Sequence, residues 1–107
     1  MKPPILFQPA AHPHGKPLPP MTGEATAYGL VIHPACQTHR RDQGHYDISD
    51  RTTGALVCES RAPGRNAALD ALTARVRAYY QEHPGGDFRA ALATARGQLA
   101  KPKDFNP

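Results

Sequence analysis

The chain has no tryptophan, two cysteines, two methionines, and only 7% aromatic residues among its 107 positions. Cys36 and Cys58 cannot form a disulfide framework, and without a secretion signal they are expected to stay reduced. Long hydrophobic runs are missing as well. Near the start only Ile5, Leu6 and Phe7 follow one another, far short of a signal-peptide core or a membrane span, so a soluble, cytoplasmic protein without a membrane role is expected. There is no phosphate-binding loop, no evident nucleophile with its base, no complete metal set and no repeat at solenoid periods. A hydrophobic fraction of 39% in 11.6 kDa leaves material for one small core.

What the chain does have is proline, unevenly placed. Pro3, Pro4, Pro9, Pro13, Pro17, Pro19 and Pro20 all fall in the first twenty residues, where no apolar periodicity survives. Residues 1–23 are therefore expected to form an extended or disordered arm, residues 24–100 the folded domain, and residues 101–107 a basic tail. The formal charge of +4 would suit nucleic acid, but its distribution argues otherwise. Residues 24–62 hold four Arg against five Asp/Glu, and the positive excess sits toward the two ends of the chain rather than in one patch.

Within the domain, "ATAYGLVIH" from Ala25 to His33 alternates and predicts a first strand, with Tyr28, Leu30 and Ile32 on one face. Tyr46 and Ile48, then "DRTTG", then Leu56 and Cys58 predict a hairpin with Gly54 in the turn and one face wet. Asn66 is a candidate cap for a helix reaching about Glu82, along which Leu69, Leu72, Val76, Tyr79 and Tyr80 form one stripe. Asp87 can cap a second helix carrying Phe88, Leu92, Ala95 and Leu99. The expected fold is α+β: a small three-stranded antiparallel sheet packed on one or two C-terminal helices behind a Pro-rich arm.

Candidate chemistry is sparse. His33, Cys36, His39 and His45 in "HPACQTHRRDQGH" have spacings a loop could fold around zinc. Only one compact knuckle is present, so a polar loop with His33 facing solvent is preferred and no metal or other cofactor is expected. A Cys36/His39 dyad would need an orienting third group and an oxyanion site that the chain does not display, and no enzymatic activity is expected. Asp47, Ser49 and Glu59, outward on the strand alternation, form a candidate binding face for a protein partner with a basic surface, such as a nucleic-acid-binding complex.

The stretch "SRAPGRNAALDAL" after three strands resembles the second half of a double-stranded-RNA-binding domain, with Arg61 and Arg65 where that family places a basic cluster. The paired lysines and leading helix of that family are absent. The size and layout of the chain, a short sheet with one or two helices, are also similar to small anti-CRISPR proteins of phages and mobile elements. That resemblance implies a non-enzymatic inhibitor that binds and blocks a larger nucleic-acid-handling complex. The alternatives are a small nucleic-acid-binding module using Arg61 and Arg65, and a zinc-stabilised interaction module.

Overall fold

The computed structural model describes residues 4–9 and 19–100, with side chains to residue 97. Five strands, β1 (Ile5–Phe7), β2 (Met21–Thr26), β3 (Leu30–Pro34), β4 (Tyr46–Asp50) and β5 (Leu56–Glu59), form an antiparallel sheet in the order of the chain. Three helices accompany it: α1 (Thr38–Asp42), α2 (Arg65–Glu82) and α3 (Phe88–Ala100). The α+β class is as expected, but the sheet has five strands and not three. Among the described residues no helix is long and apolar enough to cross a membrane.

Two local events account for the extra strands. The single strand expected over 25–33 is a hairpin: Tyr28 (φ 65°) and Gly29 (φ 71°) both take the left-handed conformation, and the Leu30 N–H donates to the Ala27 carbonyl. Those are the marks of a type I′ turn, whose twist matches that of the paired strands. The second event lies in the supposed arm. Leu6 pairs with Thr22 and Phe7 with Met21, so the boundary expected at residue 23 falls inside β2. Residues 10–18, with His12 and His14, and the 101–107 tail lie outside the described residues.

β2 changes partner at its middle, Met21–Gly23 pairing with β1 and Glu24–Thr26 with β3. Gly23 makes this possible, because a Cβ there would stand 2.6 Å from the Ile32 carbonyl oxygen and against Val31. The β1–β2 ribbon consequently closes over one face of β3, where the Phe7 ring rests 4.8 Å from that of His33.

The other face carries the main core. Leu30, Ile32 and Ile48 pack on Ala68 and Leu72 of α2, with Leu69, Val76, Tyr46, Cys58 and Leu92 around them. This is the stripe the helical spacing predicts, although Tyr80 is 42% exposed. Gly64, not Asn66, occupies the cap position of α2. At α3 the expected cap is realised, with Asp87 Oδ1 accepting from the Arg89 N–H at 2.9 Å.

Candidate functional site

The face opposite α2 was expected to be open. Instead the β1–β2 ribbon and α1 cover it, and Asp47 and Ser49 are only 4% and 3% exposed. Arg40 of α1 places Nη1 at 2.8 and 3.0 Å from the two carboxylate oxygens of Asp47, and its Nη2 donates to the Ser60 carbonyl. A buried carboxylate tied to a guanidinium completes an internal ion pair and offers nothing to a partner. Of the three residues assigned to a binding face, only Glu59 remains half-exposed, and it stands 3.5 Å from the same Arg40.

His33 likewise faces inward rather than toward solvent. Nδ1 lies 2.7 Å from the Pro34 carbonyl oxygen and Nε2 2.8 Å from Ser49 Oγ. A carbonyl only accepts, so Nδ1 carries the proton and Ser49 donates to Nε2. Burial outweighs the Pro34 contact and the Asp47 charge, holding the imidazole pKa below its ordinary value of 6.5. Strand alternation could have revealed this cross-strand pair, since Val31 faces Ser49 and His33 faces Asp47 in the register. Its geometry resembles that of an activated serine, but both side chains are buried and neither lines any of the three principal clefts.

The remaining candidates are dispersed. With both ring nitrogens of His33 engaged, it cannot join Cys36, His39 and His45 as a ligand without breaking those bonds. Cys36 Sγ lies against Met21 Sδ at 3.5 Å. Among the described residues no group of three or more His, Cys, Asp or Glu is arranged to hold a metal ion. Arg65 forms a forked pair with Glu24 at 2.9 and 2.7 Å, whereas Arg61 lines a cleft beside Arg75.

Among the described residues the sheet has two outer strands, β1, whose Leu6 is 68% exposed, and β5, which has clefts beside it. β5 pairs with β4 on one side only, and its Leu56 is 51% exposed. Ser60 N–H donates back to the Tyr46 carbonyl while Asp47 lies opposite Glu59, so antiparallel alternation points the Glu59 N–H and carbonyl outward. Beside the edge runs a cleft of about 610 Å³ floored by Cys58, Ala67, Ala71 and Ala74 and rimmed by Arg61 and Arg75. Arg75 also walls a second cleft of about 220 Å³, where Leu56 and Val57 meet Phe88 and Leu92. The sequence contains no signal for this site, because a strand becomes an edge through topology and not through its own residues. Cys58 offers no nucleophile there: burial, reinforced by Asp47, pushes its thiol up to about 11.

The arrangement among the described residues is thus a small α+β domain with a buried polar layer on one face, a helix-covered core on the other, and two outer strands, of which β5 is bordered by clefts. Comparison of the chain with protein-family models, curated proteins and solved structures finds no match.

Proposed function

We propose that the protein is a non-enzymatic interaction protein that captures an extended segment of a partner along β5. The observation that carries this reading is the outer side of β5, which no strand covers among the described residues, with Leu56 half-exposed on a cleft of about 220 Å³ and Cys58 on one of about 610 Å³. Main-chain hydrogen bonds to such an edge give affinity, and adjoining clefts select side chains. The inaccessibility of Ser49 and His33 and the protonated Cys58 thiol support a non-catalytic role. Blocking of a nucleic-acid-handling complex, in the manner of small anti-CRISPR proteins, is the most concrete form of the proposal and rests on size and layout. Direct nucleic-acid binding has less support, since Glu24 holds Arg65.

A display library of unconstrained nonapeptides selected against the full chain tests the proposal. Enriched peptides are expected to bind at least about tenfold more weakly to Leu56→Lys, a change that plants a charge on an exposed edge and spares the core. A library that yields no binder, or binders indifferent to Leu56, contradicts it.

A further inference from the structure

The turn between β2 and β3 gathers arginines from separate parts of the chain. We infer that the surface around it binds single-stranded nucleic acid, with backbone phosphates meeting Arg51, Arg77 and Arg89 and an unpaired base stacking on Tyr80. This surface involves neither the β5 edge nor Arg61 and Arg65, and the inference stands apart from the docking of a partner segment on β5.

Four arginines converge on one dipeptide, Tyr28–Gly29. The Arg51 N–H donates to the Gly29 carbonyl at 3.4 Å, and Arg96 Nη2 donates to the Tyr28 carbonyl at 2.7 Å. The Arg89 guanidinium lies 4.9 Å from the centre of the Tyr28 ring. Arg77 shares with Tyr28 the lining of a cleft of about 360 Å³, where it is the only charged residue among those described. Asp50 and Asp87 contact this group and both are engaged, Asp50 by Arg96 Nε at 2.6 Å and Asp87 as the cap that accepts the Arg89 N–H. The ion pairs among the described residues use Arg40, Arg65 and Arg96, so Arg51, Arg77 and Arg89 carry exposed charges outside any ion pair. Positive charge is therefore in excess around the turn, and a strand of phosphates complements it.

The aromatic element lies on the same side of α2. Thr73, Arg77 and Tyr80 recur at i, i+4 and i+7 and so share one helix face, with Thr73 and Arg77 in the cleft and Tyr80 a turn beyond. Tyr80 is 42% exposed, and its hydroxyl accepts from the Phe88 N–H at 3.2 Å, which anchors the ring beside the start of α3. Phe88 in turn meets the Tyr28 ring at 5.1 Å. An anchored, exposed ring beside guanidinium groups suits a single strand, which offers both a base to stack and phosphates to pair. A duplex keeps its bases stacked inside, and an acidic peptide leaves the ring unused.

The test titrates a fluorescent oligothymidylate of about ten nucleotides into the full chain at low and physiological salt. It is expected to bind, to bind more weakly as salt rises, and to shift the backbone amides of Tyr28, Arg77 and Arg89. The Arg77→Glu, Arg89→Glu double variant, folded by circular dichroism, should bind at least about tenfold more weakly. Arg77→Glu alone, which leaves the Arg89 contact with Tyr28 in place, should account for part of that loss. Arg41→Glu, the same charge change on α1, should leave affinity within about twofold. Tyr80→Leu should weaken binding at least about fivefold, and Tyr80→Phe should retain it. No binding, or equal losses in Arg77→Glu and Arg41→Glu, overturns the site. Binding indifferent to Tyr80→Leu, or a duplex of the same length bound more tightly, overturns the single-strand assignment. Polyglutamate of equal charge that displaces the oligonucleotide with equal affinity overturns it in favour of an acidic protein.

Discussion

Arg40 Nη1 contacts both oxygens of Asp47 beneath α1, where the carboxylate side chain is 6% exposed and the guanidinium 14%. This pair converts what alternation predicts to be an outward-facing acid into part of the interior. Asp47→Lys is expected to cost about 3–5 kcal/mol, because it removes a buried partner and sets two cations face to face. Asp47→Asn, which keeps a hydrogen-bond acceptor, should cost less. Urea denaturation gives the comparison, and an unchanged midpoint for Asp47→Lys would show that α1 does not close over the sheet.

Arg96 holds α3 to two turns at once. Its Nε donates to Asp50 at 2.6 Å and its Nη2 to the Tyr28 carbonyl at 2.7 Å, while Phe88 and Arg89 contact the Tyr28 ring. Arg96→Met should lower stability by about 1–3 kcal/mol, since it leaves the buried Asp50 carboxylate without its cation. The loss should be accompanied by faster amide exchange in α3 and in the Tyr28–Gly29 turn. Burial raises the Asp50 pKa, but hydrogen bonds from Arg96 and Thr53 more than offset it and the net shift is downward. Its stabilisation is therefore present above the ordinary aspartate pKa of about 3.9 and lost as pH falls through the lower folded-state value. Arg96→Met should shrink that acid-side dependence.

His33 predicts a second, milder pH dependence. With its folded pKa lowered by burial, the unfolded chain takes up the proton first as pH falls past 6.5. Stability from this group is thus complete above 6.5 and declines below it until the folded-state imidazole also takes up its proton. His33→Gln should be less stable at pH 7.5 yet flatter as pH falls below 6.5. An equal slope in wild type and variant would mean that His33 is readily protonated in the folded state.

Much of the fold is legible in local chemistry. The α2 stripe, the Gly54 turn and the Asp87 cap follow from spacing and residue type, and the structure contains all three. The β2–β3 turn was hidden because Tyr-Gly is an unusual pair for two left-handed residues, and Tyr28 is held there by contacts from α3, sixty and more positions away. β1 escaped notice because three residues among prolines give no period to read. Asp47 and Ser49 alternate as solvent-facing residues do, and only the closure of α1 and the β1–β2 ribbon buries them. Edge status and the clefts beside Leu56 arise from strand order and helix placement, which no short window encodes.

The docking edge is tested most directly by hydrogen exchange at β5 in the presence of a saturating display-selected peptide. The outward Glu59 amide should be slowed at least about tenfold, as main-chain pairing to a sixth strand requires, and the inward Cys58 amide should change far less. An unprotected Glu59 amide, with protection confined to the outer surfaces of α2 and α3, would contradict the assignment of β5 as the binding edge.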